Sequence, residues 1–182
     1  MTQLMTFYRA GADRLERADW LLPSLARLLF AAILLVYFWV SGLTKLGDGI
    51  MGIFSPSTGA YVQIFPRMME AVGYDTSQFS LLHRLVILAG TWAEFILPTL
   101  IVLGLFTRLA AFGMIIFIAV QSLTDLYGHG GWADPVVLGA WFDRFPGGII
   151  ADQRALWVLL LMVLVMKGAG PLSFDRALRA RS

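Results

Sequence analysis

Cysteine is missing from all 182 residues, and histidine occurs only twice. Without a thiol the chain forms no disulfide, binds no iron–sulfur cluster through sulfur and performs no thiol catalysis. Bis-histidine haem needs both imidazoles at matched depth on facing elements. Here His83 opens an apolar segment and His129 lies in a glycine-rich stretch, so neither haem nor a dedicated metal site is expected. Charge is scarce as well. Charged residues make up 14% of the chain, against about 25% in soluble domains. The net charge of +2 provides no basic stripe for nucleic acid. There is no glycine-rich phosphate loop after a strand, no dinucleotide fingerprint and no nucleophile elbow.

What the chain has instead is apolar surface. Apolar residues make up 58% of it, and the mean hydropathy is +0.74. That excess needs lipid. Four apolar segments, roughly 21–45, 81–106, 107–126 and 150–170, approach the ~20 residues that cross a hydrocarbon core. The predicted fold is all-α, a bundle of four transmembrane helices. The first apolar segment is too long for a cleavable signal peptide and is read as a retained helix. The fourth is the shortest, with an apolar run from Ala155 to Met166, so Arg154 and Lys167 at its ends are expected to snorkel to the interfaces.

Residues 46–80 and 127–149 are long, glycine- and proline-containing connections. Their aromatic patches, Tyr61–Met69 and Val136–Phe145, predict short interfacial helices. By contrast, Gly104 to Arg108 turns the chain at once and makes the second and third helices antiparallel neighbours. Residues 1–20 read as an amphipathic segment, with a plain solvated terminus as the other reading. Residues 21–176 form the membrane domain and 177–182 a basic tail. Arg9, Arg14, Arg17, Arg27, Arg108, Lys167, Arg176, Arg179 and Arg181 fall on the side of the termini. Lys45, Arg67, Arg84, Arg144 and Arg154 fall on the other. This excess predicts both termini in the cytoplasm, with the long loops outward.

Glu94 is the leading candidate for chemistry. An ionised carboxylate near the middle of a span costs roughly 2.5–3.5 kcal/mol on insertion scales, so it must be protonated or paired. Pro98, one turn on, cannot donate to the Glu94 carbonyl, and Gly90, one turn earlier, lets a helix or ligand approach. Arg27 is the expected partner, a guanidinium able to neutralise the carboxylate; snorkelling to cytoplasmic phosphates is the other reading for it. A second group, Ser41, Lys45, His83, Arg84, Gln121, Asp125 and His129, gathers at the outer ends of the helices. There Lys45 and Arg84 could attract an anion and the histidines could move protons. Ordinary anchoring of helix ends at the headgroups is the alternative. Arg108 is expected to cap the 104–108 turn and to pair with phosphates or Asp175.

Several pieces together resemble one family. Ala26-Arg27-Leu28-Leu29-Phe30 precedes Val40-Ser41-Gly42-Leu43-Thr44-Lys45-Leu46. Glu94-Phe95-Ile96-Leu97-Pro98 precedes Leu103-Gly104-Leu105-Phe106-Thr107-Arg108, and Gly168-Ala169-Gly170-Pro171 closes the last helix. In this order and spacing, over most of residues 22–176, they resemble the DoxX/DoxD-like family of small bacterial four-helix membrane proteins. The resemblance implies residence in the bacterial inner membrane and a role as a respiratory or redox-associated subunit, quinone-linked, with sulfur compounds such as thiosulfate among its candidate substrates. In that reading Glu94 carries protons and Arg27 tunes it. Expected partners are the bilayer, a quinone and another membrane or periplasmic protein. Two further readings stand beside it, a non-enzymatic scaffold and a transporter of a small solute or anion. Gly42, Gly90 and Gly104 would permit close helix contacts within the chain or in an oligomer.

Overall fold

The computed structural model describes residues 2–180; Met1, Arg181 and Ser182, and with them the end of the basic tail, lie outside the described residues. Four helices are long and apolar enough to cross a membrane: α2 (Leu21–Leu43), α5 (Leu81–Leu103), α6 (Thr107–Gly128) and α8 (Ile149–Lys167). Shorter helices surround them. α1 (Thr2–Glu16) precedes the bundle, α3 (Thr58–Ile64) and α4 (Pro66–Ala71) lie in the first long loop, α7 (Pro135–Leu138) lies in the second, and α9 (Phe174–Arg179) ends the chain. The described residues contain no β-strand, only an isolated bridge between Leu46 and Pro56.

The spans form a ring in which α2 packs on α5, α5 on α6, α6 on α8 and α8 back on α2. The core is a narrow stripe along each helix. Phe30, Leu34 and Phe38 of α2 meet Ile101 of α5, Ala110, Ala111, Met114 and Ile118 of α6, and Leu161 and Leu164 of α8. The spacing of these positions is the three-to-four-residue helical period. Ala110 and Ala111 carry little volume and so let α6 approach its neighbours closely. The opposite faces are left exposed: Leu28, Val36, Ile96, Phe112, Ile116 and Leu159 all point outward. In water such a surface would be a liability, but in a bilayer it is the lipid contact.

The first long loop folds back onto the bundle. Tyr61 and Met69 of α3 and α4, together with Phe79, form a second buried cluster against Ile87 of α5. Trp92 of α5 donates its indole N–H to the Ile53 carbonyl at 2.8 Å, and Phe54 stands edge-on to the Trp92 ring. The second loop is tied down at Trp141, which donates to the Ala151 carbonyl at 2.6 Å. α1 stands apart, with Leu4, Phe7, Tyr8 and Leu15 exposed along one side.

At the end of the bundle that carries the termini, the α5–α6 turn is locked by the C-terminal segment. Gly104 takes φ +68° and Phe106 φ +49°. Asp175 then caps α6 from the far end of the sequence, its two carboxylate oxygens accepting from the Phe106 amide at 2.7 Å and the Thr107 amide at 3.0 Å. A carboxylate at a helix N-terminus satisfies orphan donors and meets the positive end of the dipole. Burial disfavours the charged carboxyl of Asp175, but the hydrogen bonds from Thr107 and Phe106, with Arg179 nearby, outweigh it and hold the group below the usual carboxylate range. A folded-state pKa lowered in this way adds stability above the unfolded value of about 3.9, and that stability is lost as pH falls through the lowered value. The acid limb of unfolding should therefore flatten in Asp175→Asn, which should also be less stable at neutral pH by on the order of 1 kcal/mol. Melting curves of both proteins from pH 7 downward would show this; parallel curves for the two proteins would rule the cap out as the source.

Arg108, expected beside Asp175, instead donates to the Val165 carbonyl at 2.8 Å. The amides of the turn already occupy both Asp175 oxygens, while the carbonyls at the end of α8 lack intrahelical partners.

Candidate functional site

α2 and α5 are the same length, 23 residues each, but their ends are not level. Gly42 sits against the ring of Phe95, so close that a Cβ there would come within 2.7 Å of it. This sets the end of α2 beside the middle of α5 rather than beside its start. Glu94 lies roughly 20 Å along α5 from Leu81 at the helical rise per residue. After Leu43 the chain turns, with the Lys45 amide bonding back to the Gly42 carbonyl at 3.0 Å, and the Lys45 side chain enters the bundle at the depth of Glu94.

The result is a compact buried cluster. Lys45 Nζ lies 3.0 Å from each Glu94 carboxylate oxygen. It also donates to the Ser41 hydroxyl at 2.8 Å, and that hydroxyl donates to Glu94 Oε1 at 2.9 Å. Lys45 is 6% exposed and Glu94 2%. The partner expected from the sequence was Arg27, and the structure replaces it with Lys45. Arg27 lies at the other end of α2, where it donates to the Ala169 carbonyl at 2.7 Å and to the Leu172 carbonyl. Its two Nη groups each serve one carbonyl of the chain reversal after α8, for which a fork is better suited than a point charge.

The Lys45–Glu94 cluster forms one wall of a cleft of about 450 Å³ between α5 and α6. Gly90, Ala93 and Gly113 make room for it, and Leu97 and Phe117 line it deeper in. Its rim carries Val86, Ala89, Ile116 and Val120, all exposed on the surface the spans present to lipid. Toward the long loops it is polar, lined by Gln63, Gln121, Thr124, Asp125 and His129. Gln121 donates to the Tyr37 hydroxyl at 3.3 Å, and its Oε1 is buried with no partner among the described residues. His129 Nε2 lies 3.0 Å from the Gln63 carbonyl, joining the two long loops over the mouth.

Of the residues singled out in the sequence, the structure gathers Glu94, Lys45, Gln121, Asp125 and His129 in this one cleft. His83 and Arg84 are left outside it. His83 accepts from or donates to the Ser80 hydroxyl at 2.8 Å, between the edges of Phe65 and Phe79. Arg84 is exposed. Lys45 and Arg84 therefore do not make a shared cationic mouth, because Lys45 is spent on Glu94.

Arg154 also departs from expectation. It does not snorkel: it is 4% exposed and donates to Asp125 at 2.5 Å and to the Ser122 hydroxyl at 3.0 Å. Each partner of this ion pair sits in a widened π-helical turn, Thr124–Gly128 at the end of α6 and Ile149–Arg154 at the start of α8. Such turns are frequent at functional sites. The bond holds Asp125 at the cleft wall. Among the residues missed in the sequence are Gln63 and Gly113. Nothing in the sequence places Gln63 over the cleft, but Gly113 within an apolar run could have marked a close approach.

No curated protein and no solved structure matches the chain. A protein-family model, DoxX, matches residues 22–124. That span holds α2, the first long loop, α5 and most of α6, and it includes every cleft residue except Asp125 and His129. With more than half of the chain matched and four apolar spans in one bundle, this integral membrane protein belongs to the DoxX family.

Proposed function

We propose that the α5–α6 cleft binds the head group of an isoprenoid quinone, and that the chain serves a membrane oxidoreductase as its quinone-holding subunit in the bacterial inner membrane, with both termini cytoplasmic. The observation that carries this reading is the polarity of the cleft. It opens through apolar side chains at the lipid face and ends on a buried Lys–Glu pair, a volume and lining in the range of small-molecule sites. A head group with a long apolar tail would enter from the bilayer without crossing water. Val86, Ile116 and Val120 would contact the tail, and Gln121 and Glu94 would accept from the hydroxyls of the reduced ring. The orphan Gln121 Oε1 fits this use, since a buried acceptor without a donor costs about 1–3 kcal/mol. A bound quinone supplies reversible two-electron, two-proton chemistry. The chain's own part is to orient the ring, exclude water and hold a proton at Glu94 Oε1 or Lys45 Nζ. Electron donors such as thiosulfate would be handled by a partner subunit, since no cationic mouth is left for an anion in the cleft.

Filling the cleft tests this. A Cβ on Gly90 would meet only Ile64, at 3.9 Å, so Gly90→Phe should fold and occupy the cleft. Quinone extracted from mildly purified protein should fall from near one equivalent to almost none, with the melting temperature unchanged. Wild-type protein that carries no quinone and takes up none when it is added would overturn the proposal.

One observation favours a second reading. The Lys45–Glu94–Ser41 cluster is fully hydrogen-bonded without any ligand, as a purely structural ion pair in a scaffold protein would be.

A further inference from the structure

A second pocket, of about 540 Å³, lies at the opposite end of the bundle from the long loops. It is framed where three spans end, at the start of α2, the start of α6 and the last residue of α8, Lys167. This is the depth at which hydrocarbon gives way to headgroups. Four basic side chains line it, Arg108, Lys167, Arg176 and Arg179, against two acidic ones, Asp19 and Asp175. The acids cancel part of this charge, Asp175 on the Phe106 and Thr107 amides with Arg179 nearby and Asp19, 80% exposed, where it meets Lys167 at 3.2 Å, and an excess of basic side chains remains. The remaining wall is apolar, and Trp20, Phe106 and Leu109 in it are exposed toward the lipid side of the bundle.

We propose that this pocket binds the phosphate of an anionic phospholipid, with the acyl chains lying along Trp20 and Leu109. A phosphate group is what the cations select, since guanidinium forks match its oxygens. The exposed apolar wall selects lipid over free phosphate. Basic pockets between spans bind acidic headgroups on this principle, each cation near the surface being worth about 1 kcal/mol. The site is independent of the α5–α6 cleft, and neither proposal rests on the other.

The test uses full-length protein stripped of lipid in detergent and melted with added phosphatidylglycerol, phosphatidylcholine or inorganic phosphate. Phosphatidylglycerol should raise the melting temperature at low molar ratio, while phosphatidylcholine and phosphate should not. Arg176 is exposed, so Arg176→Gln should melt like wild type without lipid. Its affinity for phosphatidylglycerol should be lower by roughly fivefold. Equal shifts from both lipids, or an undiminished shift in Arg176→Gln, would refute the site. A full shift from inorganic phosphate alone would refute the lipid as its ligand.

Discussion

Lys45→Met should be among the most damaging single substitutions in this protein, lowering stability by on the order of 3–5 kcal/mol. Methionine approximates the lysine stem, so packing is largely kept, but Glu94 is left as a buried carboxylate without a counter-charge. Its Oε2 would lose the Lys45 ammonium, and Oε1 would keep the Ser41 hydroxyl. The double variant Lys45→Met/Glu94→Leu should regain most of the loss, because an apolar pair of similar volume replaces an ion pair at little or no cost. Chemical or thermal unfolding in one detergent, run as a double-mutant cycle, measures the coupling. A Lys45→Met protein as stable as wild type would mean that the pair carries no charge–charge stabilisation. The cycle also separates the two functional readings. A stable double variant that no longer carries quinone favours the cleft as a ligand site. One that keeps its quinone shows that the ion pair is structural and takes no part in holding the ligand.

Gly104→Ala should have the second large effect. The residue sits at φ +68°, and an added Cβ would lie 2.5 Å from Arg27 Nη1, 2.6 Å from Ser173 Cβ and 3.1 Å from Ser173 Cα. The left-handed backbone alone costs an alanine roughly 1–2 kcal/mol. The collision adds more, because Ser173 cannot retreat without pulling Asp175 off the amides of Phe106 and Thr107. A total of about 2–4 kcal/mol is expected, within the range of strain and lost-cap mechanisms. Gly104→Asn separates the two causes. Asparagine tolerates the left-handed region but still carries a Cβ, so it too should destabilise strongly. An asparagine variant as stable as the glycine protein would show that backbone conformation, and not the close approach of the C-terminal segment, explains the residue.

The class of the molecule was legible in the sequence because it depends on local composition. Runs of apolar residues near the length of a bilayer core need no tertiary information, and the four spans fall where those runs do. Gly104 to Arg108 likewise announced the α5–α6 turn through its own backbone chemistry. Glu94 was legible because an acid within an apolar run needs a partner wherever the run is placed. Which partner was not legible. Matching helix ends by depth sets Lys45 at the surface and sends Arg27 to Glu94, whereas the contact of Gly42 with Phe95 fixes a register that carries Lys45 inward and leaves Arg27 on carbonyls after α8. Arg154 was misread for the same reason. A charge at the edge of a short apolar run looks like a snorkelling anchor until a neighbouring π-helical turn presents Asp125 to it. The sequence by itself determined that the chain lives in a membrane as four helices with one buried carboxylate. Only the tertiary structure decided its counter-ion, the cleft beside it and the basic pocket at the far end, because these depend on the axial register between helices, which no single helix encodes.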